Sequence, residues 1–307
     1  MPSASAARSY NAAQVPTTKD LPVAVFVGGT SGIGRAMASA FATHTNGRAR
    51  IVIVGRNQKA AEDLRATLPS PAREQLLFIP CDMKLMRNVA AATRELAAHG
   101  VDKINYLVLS SGVLPAEGRI ETEEGIDEKL AIAYYGRWKF VYELQEALAK
   151  AAAAGEPAKV LTVLAAGAGG PIELDDLGLK KNYGLIHTSK SQATYTDLMV
   201  EKFAELHPEV SFVHAYPGIV KTDLLSNASS GMLKALHCIM DPFITLIGNT
   251  AEDCAELMWY AVYQSGPGFA RINPKGEDIG MKEYYGSEEA KELVWEHSLE
   301  VTRSRKE

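Results

Sequence analysis

Val27-Gly28-Gly29-Thr30-Ser31-Gly32-Ile33-Gly34 stands between a continuous apolar run, Val23–Gly28, and a stretch with helical spacing, Ile33–His44. Glycines at 28, 32 and 34 let the backbone turn tightly and approach a pyrophosphate, whose charge then sits at the positive N-terminus of the helix. A glycine triplet by itself is a weak signal. Placed between a buried strand and a helix near the start of the chain, it reads as a nucleotide-binding turn.

The pattern around the turn repeats. Ile51–Gly55, Leu76–Pro80, Ile104–Ser110, Lys159–Leu164 and Val210–Ala215 are short β-branched runs without polar alternation, as strands covered on both faces require. Between them Gln58–Leu68, Leu85–Ala98, Gly125–Ala153 and Tyr183–Leu206 carry helical spacing, and a later helix is predicted over Ala251–Tyr263. Strand–helix alternation at this pitch predicts an α/β fold, a doubly wound parallel sheet with helices on both faces. A single domain is predicted over residues 21–285. Residues 1–20 read as a disordered tail, about 224–250 as a substrate-covering insert, and the charge-rich 286–307 as an exposed helix or tail.

Composition narrows the function. The chain has 307 residues, and Lys+Arg 32 against Asp+Glu 37 leaves a net charge of −5, which argues against a nucleic-acid surface. No apolar stretch is long enough for a membrane span, and the N-terminus lacks the apolar core of a secretory signal. Three cysteines without a CxxC pair indicate neither a disulfide framework nor a metal site. A cytoplasmic location is the expectation.

On the glycine spacing at Gly28, Gly32 and Gly34, the chain resembles the short-chain dehydrogenase/reductases, with a Rossmann-type sheet. The resemblance extends over nearly all of Pro22–Ile272. It includes Cys81-Asp82-Met83 after the third strand and Pro217-Gly218-Ile219-Val220-Lys221-Thr222 after the sixth. It implies cofactor contacts from Gly28, Thr30, Ser31, Gly32, Ile33, Gly34 and Arg35, and from Arg56, Asn57, Asp82 and Met83. Further contacts are implied at Ser110, Ser111, Gly112, Lys190, Pro217, Gly218, Val220 and Thr222. The second strand ends Val54-Gly55-Arg56-Asn57, with no carboxylate for a ribose 2′-hydroxyl. Arg56, with Arg35 beside the turn, favours a 2′-phosphate and hence NADP(H).

At the chemistry end the family pattern breaks. Aligned on Lys190, the family's tyrosine position is Ile186, its serine position falls on Ala165 or Ala166, and its asparagine position is Ala133. Tyr183, Lys190 and the pair Tyr135/Arg137 are the catalytic candidates that remain. Tyr183 would share a helix face with Lys190 if the helix began that early. Gly118–Gly125 and Tyr134–Arg137 are similar to an atypical, largely fungal branch associated with secondary metabolism.

Three readings follow. The first is an NADPH-dependent oxidoreductase acting on a small organic substrate, an iminium or activated carbonyl compound. The others are a non-redox cyclase, isomerase or dehydratase, and a cofactor-binding protein without turnover. The resemblance also implies a homodimer or homotetramer, joined through Tyr142, Leu144, Ala147, Leu148, Ala193, Thr196 and Leu198.

Overall fold

A computed structural model describes residues 2–14, 16, 18–112, 118–221 and 248–303. The seven strands are β1 (Val23–Val27), β2 (Arg50–Gly55), β3 (Leu77–Pro80), β4 (Tyr106–Leu109), β5 (Lys159–Val163), β6 (Ser211–Ala215) and β7 (Gly268–Ile272). They form one sheet in the order β3-β2-β1-β4-β5-β6-β7, and every pairing is parallel. The helices are α1 (Ala4–Ala12), α2 (Gly32–His44), α3 (Gln58–Thr67), α4 (Ala72–Gln75), α5 (Met86–Ala98), α6 (Glu128–Leu130), α7 (Gly136–Ala153), α8 (Leu185–Leu206), α9 (Ala251–Gln264) and α10 (Glu288–Val301). A π-helical turn, Ala131–Tyr135, joins α6 to α7.

Strand side chains alternate between two cores. Val23, Val25 and Val27 face the layer of α5, α7 and α8, whereas Ala24 and Phe26 face that of α2, α3 and α9. Both faces are apolar, which is why the strands showed no polar alternation. Parallel pairing puts every strand's carboxyl end at one edge, and open α/β sheets bind ligands there.

Two terminal expectations are corrected. Residues 4–12, read as disordered, form a helix docked on α9. Asn11 is fully buried and donates to Glu256 O at 2.9 Å and to Glu256 Oε2 at 2.7 Å. Tyr10 packs edge-on against Tyr260 at 5.0 Å between ring centroids. The charge-rich C-terminus is likewise no exposed helix. Trp295 of α10 packs against Trp138 at 5.1 Å and Phe203 at 5.0 Å, and Lys291 lies buried among Glu201, Glu205 and Glu288.

This docking overturns the surface expected to mediate self-association. Leu144, Ala147, Leu148, Ala193, Thr196 and Leu198 are buried within the chain itself, and Tyr142 stacks on Trp138 at 4.9 Å. The insert expected at 224–250 lies outside the described residues except for 248–250.

Replacing Trp295 by alanine removes the ring that joins α7, α8 and α10. Loss of a large packed aromatic predicts a fall of about 3 kcal/mol in unfolding free energy. Urea denaturation reads it, and an unchanged midpoint would contradict the docking of α10.

Candidate functional site

The glycine turn fits where it does because two of its residues lack a side chain. A Cβ on Gly28, whose φ is +91°, would stand 2.6 Å from Ser111 N, and one on Gly34 would stand 2.6 Å from Gly28 O. Gly32, at φ +52°, is the second left-handed residue of the turn. The turn therefore lies hard against the end of β4, where Ser110 also donates to Val27 O at 3.3 Å. On its other side Thr30 packs against Gly55 at the end of β2. Ser31 heads α2 with its hydroxyl uncommitted to capping, and the first turn of α2, which holds Ile33 and Arg35, contains no acidic residue. Such an N-terminus favours an anion.

Arg56 follows Gly55 directly and is exposed at the same edge. Asn57 is engaged otherwise: its side chain accepts from Ala60 N at 3.0 Å and caps α3. Asp82 Oδ1 accepts from Lys84 N at 3.2 Å. Met83 is buried and packs against Gly136, so its side chain belongs to the core. Gly112 and Lys190 are exposed, and the stem of Lys190 lies along Gly170. Beyond β6, Gly218 at φ +72° packs on Pro274, and Val220 bridges to Asn249. Pro217 belongs to this segment, while Thr222 lies outside the described residues.

The catalytic candidates separate. Tyr135 is buried, and its hydroxyl hydrogen-bonds His297 Nε2 of α10 at 2.8 Å. It lines a pocket of about 240 Å3 with Arg119, Lys180 and His297, none of them in the glycine turn. Burial raises the Tyr135 phenol well above its ordinary value. Arg137, 2% exposed, donates to Val163 O at 2.8 Å and Ser111 O at 2.6 Å, tying the ends of β5 and β4 together. Burial pushes its guanidinium down to about 9. Tyr135 and Arg137 therefore act on different elements, and both are engaged within the scaffold.

Tyr183 is not on α8, which begins at Leu185 behind the cap residue Gly184, so the helical face shared with Lys190 does not exist. Its hydroxyl instead accepts from Lys129 Nζ at 2.5 Å, across 54 residues of sequence. Lys129 was missed because Asp127-Glu128-Lys129 reads as an ordinary charged helix start.

A second arrangement hidden in the sequence lies under the end of β5. His214 of β6 meets Asp197 Oδ1 of α8 through Nδ1 at 2.6 Å and accepts from Ala165 N at Nε2, at 3.1 Å. Arg271 of β7 holds Asp197 Oδ2 at 3.0 Å and donates to the carbonyls of Gly280, Lys282 and Glu283. All three side chains are buried.

Several apolar side chains of the connections that follow β5, β6 and β7 are exposed. Leu185, Ile186, Tyr216, Ile219, Met281 and Tyr285 are exposed, Ile186 by 75% and Ile219 by 50%. They belong to the start of α8, the segment leaving β6 and the segment held by Arg271. Tyr285 lies against Gly169, so the segment after β7 meets the one that leaves β5.

Burial lowers the His214 pKa, outweighing Asp197, and Arg137 and Arg271 add to the fall. A folded-state value below the unfolded one gives stability that is present above the unfolded value and lost as pH falls. Burial lowers His297 in the same way. Unfolding free energy is therefore predicted to fall as pH drops below the ordinary histidine value of about 6.5. His214→Gln should flatten that slope in urea titrations between about pH 7.5 and 5.5, and an unchanged slope would contradict the assignment.

Comparison with known proteins agrees with this geometry. The family model for short chain dehydrogenase matches residues 22–170. Oxidoreductase andH of Emericella variicolor is 34% identical, with 92% of this chain and 82% of that protein covered. Oxidoreductase AN1596 of Emericella nidulans is 29% identical over 90% of this chain and 91% of its own length. The NADPH-bound carbonyl reductase from chicken fatty liver shares the fold at a TM-score of 0.61 and 15% identity, covering 86% of this chain and all of that one (100%). With its glycine turn seated between the ends of β2 and β4, the chain belongs to the short-chain dehydrogenase/reductase family.

Proposed function

We propose that the protein is an NADP(H)-dependent oxidoreductase that transfers hydride to or from a small apolar substrate, an iminium or activated carbonyl compound. The observation that carries this reading is the glycine turn, pressed against β4 and flanked at β2 by Arg56 where an NAD site would place a carboxylate. The turn fits a dinucleotide: its left-handed glycines allow close backbone approach, and the acid-free start of α2 suits a pyrophosphate. When bound, the nicotinamide supplies or accepts the hydride.

The residues of the chain divide the remaining work. Gly28, Gly32 and Gly34 shape the pyrophosphate cradle, and Arg56 with Arg35 selects the 2′-phosphate. Lys190 holds the nicotinamide ribose, as the family resemblance implies; it is exposed, with its stem along Gly170. Exposed apolar side chains such as Leu185 and Ile186, at the start of the helix that carries Lys190, receive the body of the substrate. On the resemblance Ile186 takes the position of the family's phenol, and an exposed apolar side chain gains by being covered. With alanines at the serine and asparagine positions, a substrate that is already electrophilic suits this site.

Arg56→Gln tests cofactor choice. A charge-assisted bond to phosphate predicts NADPH binding about 10- to 100-fold weaker, with NADH binding unchanged. Quenching of tryptophan fluorescence reads both. Tighter binding of NADH than of NADPH by the unaltered protein would contradict the assignment.

A further inference from the structure

We infer that the pocket beside Tyr135 is a second binding site, for a small aromatic carboxylic acid, separate from the glycine turn. The inference does not depend on hydride transfer. The pocket holds about 240 Å3. A protein cavity of roughly 150 Å3 accepts benzene, so one ring with a short acidic arm suits this larger space. Three parts of the chain build it: residues 119–130 in the connection that leaves β4, residues 178–180 in the connection that leaves β5, and the last turn of α10 with Arg303 beyond it.

Part of the lining is apolar, from Ile126, Leu130 and Val301. Tyr135 and His297 are bonded to each other, and burial holds the phenol up and the imidazole down, so both are neutral at pH 7. Two carboxylates of the lining are spent on the scaffold. Asp127 accepts from the backbone N–H groups of Ile120, Lys129 and Leu130. Glu124 accepts from those of Met86 and Arg87 and pairs with the Arg87 guanidinium.

The cations retain unused donors. Arg119, whose side chain is 17% exposed, gives Nη1 to Glu121, and its Nε–H is buried with no acceptor among the described residues. The Nε–Nη2 edge that is left is a planar fork, which takes both oxygens of one carboxylate. Lys180 and Arg303 line the same pocket and are exposed, as is Glu300. Setting Glu121 and Glu300 against Arg119, Lys180 and Arg303 leaves one positive charge, which a monoanion balances. The bound acid lays its carboxylate on Arg119 and its ring against Ile126, Leu130 and Val301. No residue of the glycine turn, and neither Arg35 nor Arg56, lines this pocket.

Calorimetric titration of the intact protein with phenylacetate tests the assignment, with phenylacetamide as the neutral molecule of the same shape. Phenylacetate should bind one-to-one, equally with and without NADPH, and about 10-fold or more tighter than the amide. Its affinity should fall about 10-fold in Arg119→Gln and several-fold in Lys180→Gln, and should rise in Glu300→Gln, which removes a repelling charge. Urea midpoints measured on the same variants separate loss of the site from loss of the fold, and Lys180 and Glu300 are exposed positions where the fold should be unaffected. Lack of saturable phenylacetate binding, equal binding of the amide, or displacement by NADPH would overturn the inference, as would undiminished binding in both Arg119→Gln and Lys180→Gln. Failure of the unaltered protein to bind NADPH would contradict the oxidoreductase reading and leave this one standing on its own titration.

Discussion

The walls of the site meet at one buried carboxylate. Asp197 is held by Arg271 and His214 inside the layer between α8 and the sheet, and each partner extends its reach. His214 takes the backbone N–H of Ala165 beyond β5, and Arg271 gathers the carbonyls of Gly280, Lys282 and Glu283. One anion thus couples α8, the end of β5, β6, β7 and the segment that follows it. Desolvating these charges is costly, so their value lies in geometry. Removing one partner from such a buried pair typically costs about 3–5 kcal/mol, because the other charge is left uncompensated.

Arg137 performs a related task one strand away, between β4 and β5, with backbone carbonyls as its acceptors. The two arrangements lie at neighbouring strands, Arg137 joining the ends of β4 and β5, and Asp197 with its partners joining α8 to β6, β7 and the residues beyond β5. Buried charges that are paired in this way hold several chain segments in one fixed arrangement.

Much of this was legible in the residues. The parallel strands announced themselves because burial on both faces removes alternation, and the glycine turn because left-handed backbone admits few other residues. Strand β7 escaped notice: Gly268-Phe269-Ala270-Arg271-Ile272 is short and carries an arginine whose partner is 74 positions earlier in the chain, on α8. Helix α1 was hidden because Asn11 and Tyr10, and not an apolar stripe, dock it. The C-terminal helix looked exposed because its buried Lys291 is satisfied by Glu201 and Glu205 on α8, partners that no local pattern reveals. For the same reason Lys129 and Tyr183 could not be joined from spacing, since only the sheet's crossover connections bring them together.

The central proposal is hydride transfer at a site where, on the family resemblance, alanines and isoleucine take the catalytic positions. NADPH carrying deuterium at its transferable position, incubated with the protein and the iminium substrate, tests it in one step by mass spectrometry of the product. Hydride transfer predicts one deuterium in each product molecule and one oxidised cofactor for each turnover. Product formed without deuterium, with the reduced cofactor unconsumed, would contradict it and assign the pocket to non-redox chemistry.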